Sequence, residues 1–158
     1  MFDNYTYLLL LDLSHFDSSE IYINQFMFND CLNVKFINLT NSRYKQVNTF
    51  INVFGNCTSL TSIDLTNSKL AGNSYKQTFL NCKSLISLDL SQRKHTRFKA
   101  TKEMFRNSNN LILLDISNFD TISVTQATQK GDEFTGCNKL KYLNLRNYKG
   151  IDIFDLNS

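Results

Sequence analysis

The chain has 158 residues, of which 42% are hydrophobic and 20% charged, and its formal charge is +3 from 17 Lys+Arg against 14 Asp+Glu. That length fits one domain able to bury a core without disulfide or metal staples. So small a positive charge does not mark a nucleic-acid binder, and no apolar run approaches the 18 or so residues of a membrane span.

Two further features of composition stand out. Proline and tryptophan are absent, and asparagine is in large excess. Read by itself, an asparagine excess with much lysine and isoleucine reports an AT-rich coding sequence and says little about chemistry. The opening stretch, MFDNYTYLLLLDLSHF, lacks a basic leader region and has a short apolar core, so it does not read as a signal peptide.

In chain order, the first element is the triplet Leu11-Asp12-Leu13, which alternates apolar, polar, apolar and predicts a short strand with Asp12 turned to solvent. The next unit brings Phe28-Asn-Asp-Cys31, then Val34, then Ile37-Asn38-Leu39. The same order returns as Phe54-Gly-Asn-Cys57, Leu60, Ile63-Asp64-Leu65, and again as Phe79-Leu-Asn-Cys82, Leu85, Leu88-Asp89-Leu90. A fourth copy reads Phe105-Arg-Asn-Ser108, Leu111, Leu114-Asp115-Ile116; a fifth reads Phe134-Thr-Gly-Cys137, Leu140, Leu143-Asn144-Leu145. The first triplet has no Phe or Cys assigned before it. Successive triplets lie 26, 26, 25, 26 and 29 residues apart. A period of this size over six units signals a solenoid in which stacking buries what no unit buries alone.

Before each motif Phe, apolar residues recur at helical spacing, as in Val47, Phe50 and Phe54 or Tyr75 and Phe79. They predict a short helix or helical turn behind the sheet. Asn56, Asn81, Asn107 and Gly136 follow the Phe where a left-handed residue would end such a turn. The predicted architecture is therefore α/β: a solenoid with a parallel sheet of about six short strands and short helical or irregular backs. It spans 1–158 as one domain, with units around 8–33, 34–59, 60–84, 85–110, 111–139 and 140–158. Neither end reads as a polar cap, which predicts an excerpt of a longer array or a stacking unit.

The pattern F-x-x-C-x-x-L-x-x-L-D-L-S, continued in residues 114–124 as LDISNFDTISV and in 11–21 as LDLSHFDSSEI, resembles the leucine-rich repeats of BspA-like surface proteins, in the 25–26-residue version of mycoplasma surface lipoproteins and protist surface proteins. The three central units depart from that continuation. The resemblance implies a leucine-rich-repeat fold and a non-catalytic protein of the cell surface or extracellular space, used for adhesion or as a structural module.

Candidate sites follow from the stacking of columns. Cys31, Cys57, Cys82 and Cys137 occupy one repeat position that Ser108 shares. Together with Phe28, Phe54, Phe79, Phe105 and Phe134 they read as structural core, with the thiols reduced. Asp12, Asn38, Asp64, Asp89, Asp115 and Asn144 form an outward column on the sheet face. It is either a solvated row bonding its own turns or a surface that hydrogen-bonds a glycan or protein. Three equivalent carboxylates do not make a calcium cage.

Arg43, Lys45, Lys69, Arg93, Lys94, Arg97, Lys99 and Lys102 gather in the central turns, while Asp17, Glu20, Asp120, Asp132 and Glu133 lie in the outer ones. Stacked, they predict a basic stripe with acidic margins, either a solvated edge or a site for an anionic glycan, an acidic protein or another copy of the chain. His15 and His95 read as surface residues, and Lys130-Gly131-Asp132 as the tip of a protruding loop. Asn4, Asn38 and Asn56 stand in N-x-T sequons and are candidate glycosylation sites.

No phosphate loop, catalytic triad or metal-ligand cluster is apparent, so no enzyme, cofactor or metal is expected, and neither nucleic-acid binding nor membrane insertion by this segment. The expected function is a surface interaction or adhesion module that binds a protein or an anionic glycan. The alternatives are a filament subunit stacking end to end and an intracellular scaffold.

Overall fold

In a computed structural model the described residues are 2–15, 25–42, 49–68, 73–92, 100–120 and 131–149. Six three-residue strands occur in them: β1 (Leu10–Asp12), β2 (Phe36–Asn38), β3 (Ser62–Asp64), β4 (Ser87–Asp89), β5 (Leu113–Asp115) and β6 (Tyr142–Asn144). Except between β3 and β4, sequence neighbours pair in parallel, in register one repeat apart, as Leu11 with Ile37 and Leu114 with Leu143. The pairing falls into two three-stranded sheets, β1-β2-β3 and β4-β5-β6. The division falls at the one unit that is 25 residues long.

The predicted helical backs are not there: among the described residues no helix occurs, so the fold is a β-solenoid and not an α/β one. Each back is instead a run of tight turns. Val53 N donates to Phe50 O and Cys57 N to Phe54 O, both at 3.3 Å, and the third residue of each turn, Asn52 and Asn56, has φ of 55° and 58°. An i→i+3 bond around a left-handed third residue is the type II turn. Two such turns in succession put Phe50 and Phe54 four residues apart on one side, which is also the helical spacing that the sequence suggested. Val47, the third member of that pattern, lies outside the described residues.

The left-handed positions explain the asparagine content better than codon bias does. Asn56, Asn81, Asn107 and Gly136 have φ of 58°, 58°, 60° and 81°, as expected for that column, and Asp30 joins them at 56°. A second left-handed column follows the strands: Asn41, Asn67, Asn118 and Asn147, at 58°, 53°, 66° and 57°. Asparagine is among the few L-residues that enter this region at small cost. Here its amide also bonds the next turn. Asn81 Nδ2 donates to Asn56 Oδ1 at 2.7 Å and Asn107 Nδ2 to Asn81 Oδ1 at 2.9 Å. Gly55 keeps the back closed by its lack of a side chain, since a Cβ there would run into the Asn52 amide.

The core runs the length of the stack. Phe28, Phe54, Phe79, Phe105 and Phe134 are buried and stack with near-parallel, offset rings, centroids 5.3 to 5.7 Å apart. Phe2 continues the ladder against Phe28 at 5.6 Å. The first triplet therefore does have its Phe, contrary to the sequence assignment, with Tyr5 where later units have Cys. Val34, Leu60, Leu85 and Leu111 are fully buried beside the rings. Each offset aromatic pair adds about 0.5–1.5 kcal/mol beyond its buried area, so cohesion between turns is spread evenly along the column.

Candidate functional site

The four cysteines are free and buried, and their geometry gives them a structural use. Cys57, Cys82 and Cys137 Sγ donate to the carbonyls of Phe28, Phe54 and Phe105, each at 3.1 Å. Cys31 does the same to Phe2 at 2.9 Å, and Ser108 Oγ to Phe79 at 3.0 Å. The position therefore needs a small side chain with one proton to donate, which is why serine replaces cysteine there. Burial pushes all four thiols upward: Cys137 to about 11, Cys57 and Cys82 beyond the range in which a thiolate forms in water, and Cys31 in the same direction. A group so held is a poor nucleophile and metal ligand.

On the strand face, the outward column has one common job. Asp12, Asn38, Asp64, Asp89, Asp115 and Asn144 each accept, through Oδ1, the backbone N–H two residues on, at 2.8 to 3.0 Å. These are Asx turns that bend the chain out of the strand. For Asp12 and Asp64 the backbone bonds from Ser14 and Thr66 hold the carboxyl below its ordinary value. In Asp115 burial works against ionisation, but bonds from Ser117 and Asn144 outweigh it and the shift is again downward. The second oxygen of Asp115 accepts from Asn144 Nδ2 at 2.8 Å. No cluster of three or more His, Cys, Asp or Glu able to hold a metal occurs among the described residues.

Beside that row lies a column that sequence reading passed over. Leu10, Phe36, Ser62, Ser87, Leu113 and Tyr142 stand in register on the same outward face. Leu10 is 59% exposed, Leu113 45% and Tyr142 67%. An open groove over β4 to β6 is lined by Ser87, Asp89, Leu113, Asp115, Tyr142 and Asn144. The signal was available: strand alternation places the residue before each triplet on the same side as its Asp, and four of the six there are apolar or aromatic.

Of the expected basic stripe, Arg43, Lys45, Lys69, Arg93, Lys94, Arg97 and Lys99 lie outside the described residues, as do Asp17, Glu20, His95 and Lys130. Lys102 lies within them, half-buried, its carbonyl accepting from Gln77 N at 2.9 Å. One acidic residue is misplaced by the sequence reading. Glu133 does not stand on an exposed margin: it is 2% exposed, with Oε1 accepting from Thr101 Oγ1 and Gly131 N, both at 2.9 Å. Burial raises its carboxyl above the ordinary value, and Oε2 has no partner. Asp132 is exposed beside it, and His15 is exposed as expected.

The three sequons differ in access. Asn4 is exposed in a turn, whereas Asn38 bonds both Thr40 N and Thr40 Oγ1, and Asn56 is held in the amide ladder. No helix of the described residues is long and apolar enough to cross a membrane. No family model, curated protein or solved structure matches the chain.

Proposed function

We propose that the chain is a non-enzymatic recognition module of a surface protein, built of BspA-like leucine-rich repeats, and that it presents its strand face to a protein partner. The observation that carries this is the exposed Leu10, Leu113 and Tyr142 column beside a row of Asp and Asn side chains, on strands whose opposite face is turned to the core. Large apolar and aromatic groups with polar neighbours on a rigid scaffold are what protein interfaces use at their centres. The cell-surface or extracellular setting rests on the family resemblance alone, as does the adhesive role.

The test compares the purified chain with a Leu113→Ser/Tyr142→Ser double variant over immobilised peptides of mixed sequence and immobilised sulfated glycans. Both positions are solvent-facing, so the variant should fold with stability within about 0.5 kcal/mol of the parent. Peptide capture by the parent that drops at least about tenfold in the variant supports the strand face. Salt-sensitive capture of sulfated glycans alone, equal in both, would transfer recognition to the basic stripe and defeat the strand-face reading.

A further inference from the structure

The division between β3 and β4 is more than a gap in pairing. Between other adjacent strands, an N–H just past the strand donates across the interface: Leu13 to Asn38 O at 2.9 Å, Leu39 to Asp64 O at 2.8 Å, Leu90 to Asp115 O at 2.8 Å and Ile116 to Asn144 O at 3.2 Å. Leu65, the equivalent residue, makes no such bond to Asp89; two residues on, Asn67 makes none to Ser91, a bond that Asn41 and Asn118 make to their counterparts and that His15 and Gln92 also lack. Among the described residues, one backbone bond crosses here on the strand side, from Ile86 N to Thr61 O at 3.2 Å. Ile63 is only half-buried, where the equivalent Leu11, Ile37, Leu88 and Leu114 are buried. A cavity of about 100 Å³ opens between the strands, lined by Asp64, Leu65, Ser68, Asp89, Leu90 and Gln92. Its walls mix the polar Asp64, Ser68, Asp89 and Gln92 with leucines, it has room for several waters, and Ser68 Oγ is without a partner.

On the opposite side the described residues are bonded without interruption. Phe50, Asn52, Phe54 and Asn56 N donate to Ser74, Lys76, Thr78 and Leu80 O at 2.7 to 3.1 Å, and the Phe54 and Phe79 rings stack at 5.3 Å. A continuous spine facing an open slot is the geometry of a hinge. The residue missing from the 25-residue unit lies after β3, between Leu65 and Tyr75, since Phe54 to Ile63 and Phe79 to Leu88 each span the usual nine positions.

We propose that the solenoid consists of two rigid three-stranded halves that open and close along the seam between β3 and β4. The Phe54–Phe79 spine is the axis, and water enters the slot where Leu65 and Asp89 fail to pair. Movement there changes the curvature of the strand face. Residue-resolved hydrogen exchange on the intact chain tests the open state. The Leu65 and Asn67 amides should exchange at least about 1,000-fold faster than those of Leu39 and Leu90. Equal protection at all four would overturn the proposal. A cysteine pair, Asp64→Cys with Asp89→Cys, tests closure, with Asn38→Cys and Asp64→Cys as the control between paired strands. Oxidation of the seam pair should succeed and raise Leu65 and Asn67 protection at least about tenfold. A seam pair that stays reduced while the control oxidises means that the lips never meet. A bridge that forms without any gain in protection means a fixed gap, and either result removes the hinge.

Discussion

Replacing Asn81 separates two things that the back column asks of each residue. Its backbone is left-handed, with φ of 58°, and its amide spans three turns, donating to Asn56 at 2.7 Å and accepting from Asn107 at 2.9 Å. Asn81→Gly keeps the backbone relaxed and removes both side-chain bonds. At about 0.5–1.5 kcal/mol each, those bonds set a loss of about 1–3 kcal/mol, to which glycine's greater unfolded-state freedom adds a few tenths. Asn81→Ala removes the same bonds and also forces a Cβ into the left-handed region, adding about 1 kcal/mol. Urea denaturation of the three proteins, monitored by far-UV circular dichroism at neutral pH, measures both steps. The order of stability should be Asn, then Gly, then Ala. An alanine variant as stable as the glycine one would refute the argument that backbone geometry selects asparagine in this column. An unchanged glycine variant would refute the amide ladder.

The thiol column makes a parallel prediction: Cys82→Ser, which keeps a donor for Phe54 O, should cost less than about 1 kcal/mol, whereas Cys82→Ala leaves that carbonyl unpaired and should cost about 1–3 kcal/mol by the same unfolding assay. A thiol-reactive chromophore should leave the four cysteines unmodified in the native protein at neutral pH and modify all of them in denaturant. Phe54→Ala opens a void between two rings and should cost about 3–5 kcal/mol, shown as a fall in the urea midpoint. Glu133 is raised by burial, so its folded form holds a proton more tightly than the unfolded chain. Its contribution therefore worsens as pH climbs from 4.5 through the raised folded value, while Asp12, Asp64 and Asp115, shifted downward, lose their contribution only as pH falls below 3.8. Glu133→Gln should stabilise the protein by about 1 kcal/mol at neutral pH and by nothing measurable near pH 4, read from unfolding curves at both. Sedimentation at about 50 mM and about 500 mM salt should show whether the chain assembles end to end, since a filament held by surface charge dissolves once the screening length falls to a few ångströms.

The strands, their register and the Phe and Cys columns were legible because they depend on side-chain alternation, which a repeat displays several times over. The left-handed residues after the motif Phe were legible too, since few residue types suit that backbone. The backs were misread because Phe50 and Phe54, like Tyr75 and Phe79, are four apart, and two consecutive type II turns and one helical turn share that spacing. The distinguishing mark was the asparagine at Asn52 and Asn56, a poor helix former repeated where a helix would want alanine or leucine. Glu133 was misplaced because charge alone was read from it; its burial depends on Thr101 and Gly131, one of them a full unit away. The exposed Leu113 and Tyr142 were overlooked because a leucine or tyrosine beside a strand is ordinarily assigned to the core.

Consider last the chemistry by which one turn grips the next. Stacked phenyl rings, neutral thiols on carbonyls and carboxamides bonded end to end do the work on the spine side. Such groups neither titrate between mildly acidic and mildly alkaline pH nor respond to dissolved ions. Apart from the Glu103 and Glu133 carboxyls, which accept from Gln77 and Thr101 one turn away, the grip between turns is thus insulated from the medium, and the outer side chains are left free to vary in charge without endangering the stack. A lineage could exchange the decoration of each turn almost independently, while the inner column stayed the same.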